Sequence, residues 1–440
     1  MPVKLTRNQI IIISIAGAVL LFFILLFTGV IPGRKTSPGG SIGGGGGGTK
    51  LTFWGVIEDT PLKQAIEDYQ KINRDVNITY TQFDSANYEK ELLNALAAGR
   101  GPDIFMLHNA WLPKHYDKIL ALTETQFPLT QFRQLYPTVA EQDFILTDKE
   151  TGAASIFALP LYIDTLALLY NRDVFDAKGI VLPPANWQEV QNIIPQLREI
   201  NPATNEIRKA AAAIGGSEQS VNGAADLLSL LMLQSGSPMI DSKSDRADFG
   251  DAGLNALNFY VQFANPLSSS YTWNDNFRYS LDSFADGNAA VIFNYASSIP
   301  YLKSRNPYLN IGVAAMPQLN KDRPVNYANY WGLTVSSQSR NSAAAWNFIL
   351  YLTANSQASE QFIKSSRLPP ALRVLISQYL NDPNLSVFAR QSLTARSWHQ
   401  VDSSVIKKIF SDMIKSVLSG KLSTDNALKE AENEINELRK

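Results

Sequence analysis

Tyr88-Glu-Lys-Glu-Leu-Leu-Asn-Ala-Leu-Ala-Ala-Gly99-Arg-Gly-Pro-Asp103-Ile-Phe-Met-Leu107 reads as one helix followed by one strand. Leu92, Leu93, Leu96 and Ala97 share one side of a helix over 88–98, the spacing of a helix that packs on a core. Gly99 and Gly101 end it, because glycine fits the left-handed turn at a helix C-terminus without strain. Pro102-Asp103 then leads into Ile104–Leu107, an apolar run with the composition of a buried strand. The same alternation lies upstream. Leu51-Thr-Phe-Trp54 is a strand broken by Gly55, a helical pattern runs from about Pro61 to Ile72, and Val76–Phe83 is a second strand. Strands alternating with helices predict an α/β domain with a parallel sheet covered on both faces.

In open α/β sheets, ligands bind beyond the carboxyl ends of the strands. That rule singles out Trp54 with Glu58, and His108 with Asn109 and Trp111. Further along, Trp187–Ile200, Ala224–Gln234, Leu254–Ala264, Ala343–Leu352, Val405–Leu418 and about Asn426–Leu438 carry helical patterns. Ala289–Phe293 is a short buried strand leading into Asn294 and Tyr295. No repeat with a period of 20–50 residues is present.

The 440 residues leave room for two domains, and 45% hydrophobic with 18% charged residues is the balance of a chain that buries a core. A net charge of -1 marks neither a nucleic-acid surface nor an acidic tail. The absence of cysteine excludes disulfides, thiolate-held zinc, a thiol nucleophile and a lipid-modified cysteine. Three histidines, His108, His115 and His399, are too few for a catalytic metal site built on imidazoles, and no cofactor is expected. There is no Gly-x-Ser-x-Gly elbow, no His-Glu-x-x-His and no P-loop.

Residues 10–31 form an uncharged apolar run of about 22 residues, about 33 Å as a helix, which spans a bilayer core. The run exceeds the ~7–15 residue core of a cleavable signal, and Ala16 and Ala18 lie inside it, so it reads as an uncleaved transmembrane signal anchor after a cytoplasmic segment 1–9. A cleaved signal peptide is the competing reading. Residues 32–49, with glycine unbroken from Gly43 to Gly48, read as a leash between membrane and domain. Lys4 and Arg7 before the run are nearly balanced by Arg34 and Lys35 after it, so charge alone does not set the orientation.

Several further segments stand out in order along the chain. They are Ala95-Leu-Ala-Ala-Gly99-Arg-Gly-Pro-Asp103, Leu159-Pro-Leu-Tyr162, and Leu169-Tyr-Asn-Arg-Asp-Val-Phe175 with its continuation through Pro183-Pro184 and Trp187 to Glu189. Phe284-Ala-Asp-Gly-Asn-Ala-Ala290, Tyr330-Trp-Gly-Leu-Thr-Val335 with Ala343–Leu350, and Arg367-Leu-Pro-Pro370 complete the series. Taken together and in this order, these segments resemble the extracellular solute-binding proteins that serve ABC importers, the maltose-binding type, over about residues 50–438. The resemblance implies a two-lobed periplasmic-binding-protein-like fold of type II, with lobe one at 50–159 and 316–342 and lobe two at 160–315 and 343–440. The hinge would lie near Leu159-Pro160, Ala314–Pro317 and Asn341–Ala344. It further implies an extracytoplasmic domain that closes on a small solute and delivers it to ABC transporter permease subunits. Relatives commonly carry a lipidated cysteine or a cleaved signal, and this chain departs from both.

Sugar sites need aromatic plates beside groups that make directed hydrogen bonds. The candidates are Trp54, Glu58, Asn109, Trp111, Tyr162, Asp164, Trp273, Asn294, Tyr295, Tyr330, Trp331 and Arg367. For each the competing reading is packing or, for Arg367, a structural ion pair. Trp187 and Trp346 read as core, Trp398 is open, and His115 and His399 read as packing or surface residues. A sugar leads a peptide or a polyamine, for which Glu58, Asp59 and Asp164 would supply carboxylates. An anchored carbohydrate-active enzyme would need two carboxylates flanking the bond, and a sensor subunit would use the same fold.

Overall fold

The computed structural model describes residues 48–439 except 149, 150, 205 and 242. The expected anchor at 10–31 lies outside the described residues; among those described, no helix is long and apolar enough to cross a membrane. Thr49, assigned to the leash, is instead the first residue of a strand, its N–H bonded to Asp75 O at 2.6 Å.

Two five-stranded sheets organise the chain. The first runs β2 (Val76–Gln82), β1 (Thr49–Gly55), β3 (Ile104–His108), β15 (Trp331–Val335) and β6 (Leu159–Pro160). The second runs β13 (Ile311–Ala314), β7 (Ala167–Asn171), β12 (Ala289–Asn294), β9 (Ile207–Ala212) and β8 (Glu199–Ile200). Three two-stranded ribbons complete the set: β4 (Ile145–Thr147) with β5 (Ala154–Ile156), β10 (Met239–Ile240) with β11 (Ala247–Asp248), and β14 (Asn326–Tyr327) with β16 (Ala395–Arg396).

The opening stretch folds as read. Asp84 caps the helix Ser85–Ala97, its Oδ1 accepting the Ala86 N–H at 2.9 Å. Gly99 ends it at φ +66, and β3 is buried along Ile104–Leu107. Strands β1, β2 and β3 are parallel, whereas β15 enters antiparallel to β3 and to β6. In the second sheet β7 runs antiparallel to both β12 and β13. The parallel sheet expected from alternation therefore holds for the first three strands, and both sheets are mixed. Strand β9 carried no sequence signal because its buried end is Ala210-Ala-Ala212, three poor strand formers.

The chain crosses between the sheets three times: at 161–166, at 315–330 and at 380–402. The third crossing departs from the reading above. The helices Ser342–Ala354 and Ser356–Ser366 pack on the first sheet and on the helix Asp59–Ile72 rather than in lobe two. The physical reason is the short turn 336–341, which folds the chain straight back onto β15 and leaves no length to cross. The helix Ser403–Leu418 packs with Thr424–Leu438 and with Ala224–Gln234 in the second lobe.

The crossings are bonded to one another. Ala328 bridges Thr165, and β14 pairs with β16. Buried Gln391 joins all three segments: its amide donates to Thr165 Oγ1 (2.9 Å) and Leu166 O (2.8 Å), and its Oε1 accepts the Met316 N–H at 2.7 Å. Replacing Gln391 by Leu leaves a buried N–H, a carbonyl and a hydroxyl without partners, at ~1–3 kcal/mol each. We expect Gln391→Leu to lower the unfolding free energy by on the order of 3 kcal/mol in urea titrations. Gln188→Leu, on an exposed helix face, stays within ~0.5 kcal/mol.

Candidate functional site

A cavity of about 280 Å³ lies where the crossing strand 326–331 meets both lobes. The first lobe contributes His108, Asn109 and Trp111, just past the carboxyl end of β3. The second contributes Asp226 and Ser229 from the helix Ala224–Gln234, and Ser403 and Lys407 from the helix Ser403–Leu418. Asn329 forms the floor, and Trp398 with Gln400 enter from the third crossing.

A polar chain spans this cavity. Tyr295 Oη donates to Asp226 Oδ2 (2.7 Å), and Asn329 Nδ2 donates to the same oxygen (3.2 Å). Asn329 Oδ1 therefore faces His108 Nε2 at 3.0 Å, so that nitrogen carries the proton, while His108 Nδ1 accepts the Ala110 N–H at 3.3 Å. Both ring nitrogens are satisfied in the neutral tautomer, and burial holds the His108 pKa below its ordinary value. Lys407 Nζ lies 3.1 Å from Glu218 Oε2. Burial pulls the Lys407 pKa down, but Glu218 and Asp226 together hold it above the ordinary lysine range. Burial also raises Glu218.

Beneath the cavity, Asp143 accepts from Asn109 Nδ2 (3.1 Å), Tyr330 Oη (2.8 Å) and the Ser397 hydroxyl. This carboxylate orients two residues of the cavity wall. Burial pushes it up to about 7, against the pull of its three donors. At the mouth, Trp111 Nε1 donates to Ser403 Oγ (3.1 Å), and Lys114 Nζ bridges Glu89 (2.9 Å) and Asp402 (2.6 Å) across the lobes. Burial raises Glu89, but its bonds from His115 and Lys114 win and bring it down to about 2.

The sequence candidates separate on this geometry. Asn109 and Trp111 line the cavity, and Tyr295 reaches it through Asp226. Asn294 sits one step back, its Nδ2 donating to Asn222 Oδ1 at 2.9 Å. Trp331 packs edge-on against Trp111 and His108, with ring centroids 5.0 and 5.1 Å away. Tyr330 is fully buried and supports Asp143. Others lie elsewhere. Trp54 packs on Phe83 at 4.6 Å and Glu58 is exposed at a helix start. Tyr162 is buried in the first crossing. The Asp164 carboxylate is taken up by the N–H groups of Thr165, Ala296 and Ser297, which ties that crossing to the second lobe. Trp273 is wholly buried, stacked on Phe277 and donating to Ser220 Oγ at 3.0 Å, so it is a core residue. Arg367 lines a separate groove.

Asp226, Ser229, Asn329, Gln400, Ser403 and Lys407 were not among the candidates. The last four sit in or beside the crossings, whose convergence is a property of the fold. Asp226 and Ser229 lie within a helix that reads as buried throughout. An Asp in the first turn of such an apolar helix was the available signal.

Two α/β lobes, three crossings and a polar, Trp-lined cavity between them define a two-lobed binding protein. The chain belongs to the family of bacterial extracellular solute-binding proteins, whose model matches residues 54–359. It is 22% identical, over 76% of its length and 68% of the relative's, to a maltotriose-binding protein of Pyrococcus abyssi. It is 20% identical to a probable ABC transporter-binding protein of Deinococcus radiodurans, covering 76% and 79% of the two chains. Among solved structures, the sugar-binding protein MalE of Xanthomonas citri superposes with a TM-score of 0.73 at 19% identity, covering 89% of this chain and 97% of the other. A solute-binding protein of Thermotoga lettingae bound with α-D-tagatose gives 0.69 at 20%, covering 89% and 99%.

The buried Asp143 carries a pH signature. Its folded-state pKa of about 7 lies above the ordinary 3.8, so its contribution is fully present below pH 4 and is lost as pH rises through 7. The full interval is worth at most about 4 kcal/mol. We expect Asp143→Asn to flatten the fall in unfolding free energy between pH 4 and 7 relative to the parent, read by urea titration at each pH. Parallel curves for the two proteins would refute the assignment.

Proposed function

We propose that this chain is a membrane-tethered receptor that captures a sugar or short oligosaccharide between its lobes and presents it to the permease subunits of an ABC importer. One observation carries the reading: Trp111 and Trp398 line a cavity whose other walls mix the hydrogen-bonding groups of Asp226, Asn329, Gln400 and His108 with apolar residues such as Ile406 and Phe410. Aromatic faces match the apolar faces of sugar rings, and the amides and carboxylate match hydroxyl edges. At about 280 Å³ the cavity sits at the lower edge of the ~300–1,000 Å³ range of ligand pockets, a fit to one or two rings.

The ligands of similar proteins support the same class: maltotriose for the Pyrococcus abyssi protein and tagatose in the Thermotoga lettingae structure. Among the described lining residues Asp226 is the one carboxylate, where hydrolysis of a glycosidic bond calls for two. The solute is thus held and released unchanged. Residues 10–31 supply the tether and 32–48 the leash, with the lobes on the extracytoplasmic side. Closure proceeds by bending at the three crossings.

A thermal-shift panel of mono-, di- and trisaccharides on residues 48–440 tests the reading. A bound sugar at 100 times its Kd adds about 2.7 kcal/mol, which raises Tm by about 3 °C. Trp111→Ala and Trp398→Ala each weaken binding at least tenfold, and chromatography recovers the sugar intact. A broad panel with no shift defeats the sugar assignment, and recovered cleavage products defeat the receptor assignment.

A further inference from the structure

Arg367 is the residue that the cleft leaves unexplained. It ends the helix Ser356–Ser366 in the left-handed region, at φ 58 and ψ 26. A helix that stops this way ordinarily has glycine there, because a side chain strains the turn. Among the described residues Met239 and Asp245 share this conformation, but of the three Arg367 is the one whose charged side chain lines a groove. Among the described residues the Arg367 guanidinium has no hydrogen bond and no ion pair.

The side chain lines a groove of about 580 Å³, twice the size of the cleft cavity. Its walls come from both lobes: Ile299, Lys303 and Val313 from the second, Ile363, Lys364 and Tyr379 from the first. It lies behind the crossings. Asp164 accepts the Asn329 N–H on its carbonyl toward the cleft, and the Ala296 and Ser297 N–H groups on its carboxylate toward the groove. The groove holds three cations against one carboxylate, Asp382, whose Oδ1 already accepts the N–H groups of Asn384 and Leu385. Lys303 donates to Leu309 O and Lys364 pairs with Glu360, which leaves Arg367 as the free cation of the three.

We infer that this groove is a second binding site, for a small amphipathic anion whose phosphate or carboxylate head meets Arg367 and whose apolar body lies along Ile299 and Val313. A planar guanidinium suits two-point recognition of such a head. The site is independent of what the cleft binds.

Hexyl phosphate is the probe, titrated calorimetrically into the folded domain, with hexanol and inorganic phosphate as controls. The expected result is saturable 1:1 binding of hexyl phosphate, with each control at least tenfold weaker. Arg367→Gly abolishes that binding while Tm holds or rises, because glycine relieves the strained turn; this separates loss of the site from loss of the fold. Lys303→Gln weakens it severalfold. No saturable heat, unchanged binding in Arg367→Gly, or equal binding of inorganic phosphate alone would each overturn the assignment.

Discussion

Three chain crossings that hydrogen-bond to one another are the constraint on which the rest of this molecule depends. Each sheet has its own covering helices, and the buried core continues from one to the other through residues of the crossings such as Ile163, Met316 and Tyr327, so those crossings bear on the relative position of the lobes. Gln391 and Asp164 are the side chains that tie them. One side chain donates to the first crossing and accepts from the second while standing in the third, and the other anchors the first crossing to the second lobe. Because these bonds are buried, breaking any one strands a polar group in a poor solvent. The same strap floors the cavity at Asn329, so a solute that touches Asn329 acts on the hinge itself.

The contacts across the cavity mouth are of a different strength. Lys114 and Asp402 are partly exposed, at 29% and 23%, and such a pair is worth ~0.2–1 kcal/mol. The Trp111 to Ser403 bond adds ~0.5–1.5 kcal/mol. Against this, closing the lobes orders two surfaces. For the proposed receptor the mouth would therefore bias closure weakly, and a ligand with a few kcal/mol of preference for the closed form would decide the population. A receptor that must release what it holds needs that balance, and a large apolar interface between the lobes would remove it.

The fold was legible where a local pattern and its tertiary role coincide. The helix after Asp84, the buried β3 and the helices of the last forty residues follow from spacing, caps and glycine stops. The third crossing was not legible, because nothing local in 336–341 tells a turn back onto the same sheet from a passage to the other. The site was legible only at strand ends. Asn109 and Trp111 follow β3, and the strand-end rule finds them. Asn329, Gln400 and Lys407 meet them through topology, which no window of sequence contains. Trp273 shows the opposite failure. It was a ligand candidate because it sits in a polar stretch, Tyr271–Arg278, yet Ser217, Ser220 and Asp275 satisfy one another around it and let the ring be buried.

The charge pattern bears on the polyamine alternative. A polyamine needs several carboxylates facing one cavity. Glu58 lies on the surface away from this one, and the Asp164 oxygens accept three backbone N–H groups. Glu218 is engaged by Lys407, which lines the same cavity and would repel a second cation placed beside it. That leaves Asp226, with Tyr295 and Asn329 both on Oδ2 and Oδ1 open to a donor. One open carboxylate oxygen, an ammonium, several amides and two indole faces ask for a solute that donates and accepts along its edge and is apolar on its face. A sugar ring has that surface, and a polyamine lacks both the acceptors and the face.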